Sequence, residues 1–137
     1  MLQPETTQAT TNSEFTRVGL QAFFNISEKW ELRPRQQQTL LGNPSRPTLT
    51  RWREWANAER GGCRNTVPRD VLERISYIMG IYKALKILYS TPAIQDTWVH
   101  RENEAPGFTG RTPLERMLEG NVSDLADVRR YLDSIRS

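Results

Sequence analysis

Apolar residues recur at helical spacing along most of the chain, and the alternating pattern of strands is nearly absent. A first helix is expected from about Phe15 to Leu32, where Val18, Phe23, Phe24, Ile26 and Trp30 make an uneven apolar face. A short second helix covers Arg35–Leu41. Pro34 suits its first turn, and Gly42 with Pro44 stops it. The third begins at Ser45, a good N-cap, with Pro47 in a first turn where its missing N–H costs little. Glu59–Thr66, ERGGCRNT, holds two adjacent glycines and reads as a turn or linker.

The longest periodic segment runs from Pro68 to about Ser90. Val71, Ile75, Ile78, Tyr82, Leu85 and Tyr89 form one stripe, widened by Leu72, Met79 and Leu88. Gly80 falls mid-stripe, which suits either a close helix contact or a tolerated glycine. A brief segment, Pro92–Arg101, carries Trp98, and the Pro/Gly loop NEAPGFTG follows. The run Thr112-Pro-Leu-Glu115 has the form of a capping box, and Gly120 ends that helix. Leu125, Val128, Leu132 and Ile135 then mark a last helix over Val122–Arg136. The expected architecture is all-α, with seven or so helices and no internal repeat.

Composition narrows the class. At 36% hydrophobic and 26% charged, the chain reads as soluble and globular. It has no apolar run long enough for a membrane span. MLQPETTQATTNS lacks a basic start and an apolar stretch, so it does not read as a secretory signal. Its polar, Thr- and Gln-rich character predicts a mobile tail over residues 1–13. One cysteine, Cys63, and one histidine, His100, exclude an internal disulfide and leave a zinc site short of ligands. Both counts suit a reducing cytosol, so a cytoplasmic location is expected.

The net charge of +3 is unevenly placed. Between Arg33 and Arg64 there are seven Lys/Arg against two Asp/Glu, whereas residues 67–137 carry ten of each. The basic excess surrounds SRPTLTRWREW, Ser45–Trp55. On a helical wheel Leu49 and Trp52 are core anchors there, while Arg46, Pro47, Thr50, Arg51 and Glu54 lie opposite. A recognition helix sets its N-terminal residues against base edges in the major groove. Arg grips guanine in a bidentate way, and Thr meets a base edge or a thymine methyl. Arg46, Thr48, Thr50, Arg51 and Arg53 are therefore the candidate DNA-binding residues. The helix, Gly42 turn and second helix have the layout of a helix-turn-helix. A solvated basic helix in a plain bundle gives the same spacing.

Catalytic signals are missing. There is no Gly-rich phosphate loop, and His100 has no Cys or Ser close in sequence. Carboxylates such as Glu115 and Glu119 sit in positions that suit salt bridges, and no pair is placed for acid–base work. Cys63, between Gly62 and Arg64, has nearby cations that can raise its reactivity, though an incidental loop residue fits better. No enzyme, catalytic residue, metal or cofactor is expected.

Ser45–Trp52 with the preceding Leu-Leu-Gly resembles the Xre-type helix-turn-helix of bacterial antitoxins. The C-terminal half is similar to the toxin-binding domain of the Xre/MbcA/ParS antitoxin group. The features that carry this are the long helix entered with LERI, Trp98, Asn103, the block GRTPLERMLEG and the closing VRRYL. The two halves cover about residues 15–137. One departure is that Pro34, Arg35 and three glutamines stand in the second helix where acidic residues are expected.

The resemblance implies an antitoxin of a type II toxin–antitoxin system. Its expected layout is a tail at 1–13, a helix-turn-helix domain at 14–64 and a small helical toxin-binding domain with one long helix at 66–137. It implies neutralisation of a partner, commonly a RES-domain enzyme that degrades NAD, by covering its active site. It also implies repression of its own promoter, as a homodimer on operator DNA and in a higher toxin–antitoxin assembly. Expected toxin-binding residues are Trp98, Arg101, Asn103, Gly110, Arg111, Pro113, Arg129, Arg130, Tyr131 and Arg136. Interfaces concentrate their energy in Trp, Tyr and Arg, which favours Trp98, Tyr131 and Arg111. For Trp98 a core position bracing the long helix is the competing reading, and for the arginines a solvated face. The alternative function is a stand-alone dimeric helix-turn-helix regulator without a toxin partner.

Overall fold

The structure is a computed structural model that describes residues 3–58 and 67–136, with side chains from Ser13 onward. Seven α-helices follow one another among these residues: α1 (Gln3–Lys29), α2 (Pro34–Leu40), α3 (Arg46–Asn57), α4 (Arg69–Leu88), α5 (Pro92–Thr97), α6 (Pro113–Met117) and α7 (Val122–Arg136). A 3-10 turn, Trp98–His100, continues α5. No strand occurs among the described residues. The Gly-Gly segment and Cys63 lie outside them. None of the described helices is long and apolar enough to cross a membrane.

α1 begins at Gln3, well before the apolar pattern does. Its inner face is Leu20, Phe23, Ile26 and Trp30. Val18, expected on that face, is exposed along with Phe15. Both line an open apolar groove between α1 and α4, with Leu72 and Met79 across from them. The helix stops where Glu31 turns left-handed at φ 54, with the Leu32 N–H reaching back to the Ser27 carbonyl at 2.8 Å. That is a Schellman closure without glycine, and the buried Leu32 supplies its apolar contact.

The same device ends α2. Gly42 takes φ 89, and the Asn43 N–H bonds the Gln38 carbonyl at 2.8 Å. Ser45 then caps α3 by accepting from the Thr48 N–H, as its position predicts. Leu49, Trp52, Trp55 and Ala56 turn inward. The far end of α3 is finished by α1: Gln21 donates to the Ala56 carbonyl at 2.7 Å, and Arg17 to that of Ala58.

α4 is the spine. It packs against α1 on one side and, more extensively, against α7 on the other. Val71, Ile75, Ile78 and Leu85 are buried as the stripe predicts, but so are Ile81, Ala84 and Arg74. Two neighbouring helices widen the buried arc beyond one stripe. Met79 is exposed, and Tyr82 and Tyr89 are partly buried, because α1 covers only part of that flank. α7 answers with Leu125, Val128 and Leu132, while Ile135 in its last turn is exposed. The buried apolar residues from α1 through α7 form one continuous cluster.

Short helices fill the far end. The Thr112 hydroxyl accepts from the Glu115 N–H at 3.0 Å, and the Glu115 carboxylate accepts from the Thr112 N–H at 2.8 Å. These bonds hold the Glu115 carboxyl below its ordinary 4.5. Arg116 binds α6 to α7: it reaches Asp124 at 3.0 Å, Asp127 at 2.6 Å and the Gly107 carbonyl at 2.9 Å.

Candidate functional site

Two surfaces carry the candidate residues. The first is built by α2, its turn and α3. Capping fixes the start of α3, and the burial of Leu49 and Trp52 fixes its rotation. That rotation leaves Arg46, Pro47, Thr50, Arg51 and Glu54 exposed on one side. Thr48 is half-buried in a small network: its hydroxyl accepts from Ser45 Oγ at 2.9 Å and from Arg51 Nη2 at 3.1 Å. Arg51 is thus turned back toward the start of the helix.

Arg53 goes elsewhere. Its Nη2 donates to Gln37 Oε1 at 2.7 Å, and its guanidinium lies over the Phe24 ring, 5.1 Å from the centroid. Gln37 is buried. The glutamine run that departs from the expected pattern has a separate task at each position. Gln36 Oε1 accepts from the Arg33 N–H at 2.8 Å, Gln37 Nε2 donates to the Leu32 carbonyl at 3.1 Å, and Gln38 Nε2 donates to the Pro44 carbonyl at 3.0 Å. Gln37 and Gln38 donate to backbone carbonyls, which carboxylates could not do, whereas Gln36 accepts as a glutamate would.

The second surface surrounds the loop before α6. Trp98 is 7% exposed, edge-on to Phe108 at 6.2 Å and stacked on Tyr131 at 6.4 Å. Phe108 in turn meets Tyr131 edge-on at 5.2 Å. This trio anchors the loop to α7, with Tyr131 half-buried at its outer side. Asn103 and Arg111 close the loop: the Asn103 N–H donates to the Arg111 carbonyl at 3.0 Å, and the Gly110 N–H to the Asn103 carbonyl at 2.9 Å. Gly110 stands at φ 83, which a side chain would strain. Pro113 is buried under the first turn of α6.

The cations on this side are paired within the chain. Arg101 reaches the Thr97 hydroxyl at 3.2 Å, and Arg111 reaches Glu119 at 3.2 Å. Along α7, Arg129 pairs with Asp133 at 3.2 Å, Arg130 with Asp127 at 2.9 Å, and Arg136 with Asp133 at 4.0 Å. Pairs one helical turn apart at the surface are worth only a few tenths of a kcal/mol. A partner can therefore take these arginines over at little cost. Arg129 lies across Gly80, on the spot a side chain there would fill. Of the two readings of Gly80, the contact is the one present, and it is made through an arginine side chain.

Sequence reasoning missed Gln37, Arg74 and Arg116 as organising residues. Arg74 carried a signal, since it stands three residues after Val71 and four before Ile78 within a buried stripe. Gln37 and Arg116 carried none, because their partners lie in other segments. His100 is engaged too: Nε2 is 2.6 Å from the Trp30 carbonyl, tying the 3-10 turn to the end of α1.

A short helix, a glycine turn and a capped helix with exposed arginines define a helix-turn-helix DNA-binding module, here continuous with a second helical unit. Comparison with known proteins also finds two parts, whose limits meet within α4. Residues 16–80 match the family model described as the antitoxin Xre-like helix-turn-helix domain. Residues 84–137 match the antitoxin Xre/MbcA/ParS C-terminal toxin-binding domain. The chain is also 41% identical over 117 residues to the uncharacterized protein y4oB of Sinorhizobium fredii, covering 85% of this chain and 83% of that one. No solved structure matches it significantly. The chain belongs to the Xre/MbcA/ParS family of antitoxins, proteins that join a DNA-binding helix-turn-helix to a toxin-binding domain.

Proposed function

We propose that this antitoxin silences a RES-domain, NAD-degrading toxin by lying across its active site, and that it represses its own operon as a homodimer in the cytoplasm. The observation that carries the reading is the C-terminal match, which spans the loop before α6 and all of α7. Inhibition of this kind needs a preformed surface and no chemistry of its own. The Trp98–Phe108–Tyr131 stack, Gly110 and Pro113 supply the rigid frame, with Asn103 closing the loop. Arg101, Arg111, Arg129, Arg130 and Arg136 supply exchangeable charge on it. At the other end, Arg46, Thr50 and Arg51 face the duplex, and Thr48 steadies Arg51.

The test is to look for a RES-domain reading frame beside the gene and co-express its product with this protein, following growth and cellular NAD. Rescue of both is expected, and a chain that restores neither overturns the reading. Charge reversal is the suitable perturbation, because deleting α7 would also strip Leu125, Val128 and Leu132 from the core. Arg130→Glu is the first choice, since that side chain is 75% exposed. It is expected to weaken toxin capture while leaving the fold intact.

A further inference from the structure

We propose that Arg53 is a positioning residue for DNA recognition: it holds the recognition helix at its working angle and does not itself touch the duplex. The inference rests on the operator-binding reading above.

One side chain contacts all three helices of the helix-turn-helix. From α3, Arg53 donates to Gln37 on α2 at 2.7 Å and covers Phe24 on α1, 5.1 Å from the ring centroid. Gln37 is 8% exposed, and its amide is used at both ends. Its Nε2 donates to the Leu32 carbonyl at 3.1 Å, which leaves Oε1 to accept from Arg53. Without Arg53 that buried oxygen loses its donor, and an unmatched buried acceptor is costly. The Gln37 amide also fixes where Leu32 sits, at the end of α1. The three helices are thus linked through one amide and one guanidinium.

Helix geometry separates Arg53 from the reading face. Successive residues turn by about 100°, so Arg51 and Arg53 point about 200° apart around α3. A duplex gripped by Arg51 lies on the other side of the helix from Arg53, while Arg46 shares the side of Arg53 but stands two turns nearer the start of the helix. Base readout requires side chains held within about half an ångström of the productive geometry. A brace behind the helix supplies this. The planar guanidinium can donate to an amide edge-on while stacking on a ring, and a lysine ammonium cannot do both in the same way.

The test uses the full-length protein and the DNA fragment upstream of its own gene, with affinity measured across a salt series. Arg53→Met and Gln37→Met are each expected to weaken binding about five- to tenfold. Their effects should be non-additive in the double variant. The slope of log affinity against log salt should stay at the wild-type value, because no phosphate contact is lost. Arg53→Lys should not rescue, although it keeps the charge. Toxin affinity should be unchanged in every variant. A slope reduced by about one in Arg53→Met identifies a phosphate contact and overturns the inference. So does rescue by Arg53→Lys, unaltered DNA affinity in Arg53→Met, or an equal loss of toxin and DNA binding. Wild-type protein that fails to bind the fragment overturns the operator-binding reading itself.

Discussion

Arg74, buried in α4, donates a hydrogen bond to the carbonyl oxygen of Gly120 at 2.9 Å, across forty-six residues of sequence. Its Nε reaches Asp70 at 3.3 Å, and its guanidinium lies against Gly42, the turn glycine of the helix-turn-helix. The turn that orients the recognition helix and the turn that starts α7 are therefore held by one side chain. Arg74→Ala leaves a carbonyl without its donor and a gap beneath Gly42. A loss of about 2–3 kcal/mol in unfolding free energy is expected. Urea denaturation measures it, and a loss below 0.5 kcal/mol, roughly the range of inert surface changes, would show that the pin is dispensable.

Gly80 and Arg129 make a weaker contact, and the sign of the effect reverses. A methyl group at Gly80 collides with the far end of the Arg129 side chain, which can swing into solvent. The cost is one surface ion pair to Asp133, while alanine in mid-helix gains about 1 kcal/mol over glycine. Gly80→Ala should leave the protein as stable as wild type or more stable by several tenths of a kcal/mol. Thermal melting checks this, and a clear fall in Tm would show that Arg129 cannot move.

Asp124 makes stability depend on acid. Burial pushes its carboxyl up, but the hydrogen bond from Arg116, the bonds from Asn121 and the charge of Arg116 more than offset this, so it lies below its ordinary 3.8. The same pair raises the Arg116 guanidinium above its ordinary value. A depressed carboxyl binds its proton more readily in the unfolded chain. Its stabilisation is complete above the ordinary carboxylate range and disappears as pH falls through the folded value. Asp124→Asn should lower Tm at neutral pH, and the gap to wild type should close below about pH 4. A gap that stays constant down to pH 2 would assign the effect to packing.

Trp98 tests frame against contact. Its burial between Phe108 and Tyr131 predicts that Trp98→Ala costs about 3–5 kcal/mol of stability by itself. Calorimetry of the isolated antitoxin measures this without any toxin present. If the variant melts like wild type, Trp98 is not a core residue, and any loss of toxin binding would come from direct contact.

Arg51 is the complement to Arg53 on α3. It is exposed, as Arg46 is, and is steadied by Thr48. Arg51→Ala is expected to weaken operator binding by about 1–3 kcal/mol and to relax preference at one base position. A gel shift unchanged from wild type removes Arg51 from the reading face.

Much of this molecule is local, and local features are legible in a sequence. Ser45, Gly42, the Thr112–Glu115 box and the limits of α7 fall where capping rules put them, because a cap needs only residues three or four positions apart. The inward turn of Leu49 and Trp52 follows from periodicity in the same way. The Arg129, Arg130 and Arg136 pairs were less legible, since each long side chain has several carboxylates within reach. Arg53 looked from its sequence like one more cation on a basic helix.

Sequence by itself determined the all-helical fold, the helix-turn-helix with its outward arginines, and the membership of both halves in an antitoxin family. The first two follow because periodicity and turn chemistry operate over a few neighbouring residues, and the third rests on the resemblance of Ser45–Trp52 and the GRTPLERMLEG block to that family. Tertiary structure alone decided that Arg53 faces Phe24 and Gln37, that Arg74 joins two distant turns, and that Trp98 is enclosed by Phe108 and Tyr131. Each of these choices depends on segments that meet only after the chain has folded, and a flexible side chain takes whichever partner packing brings within reach.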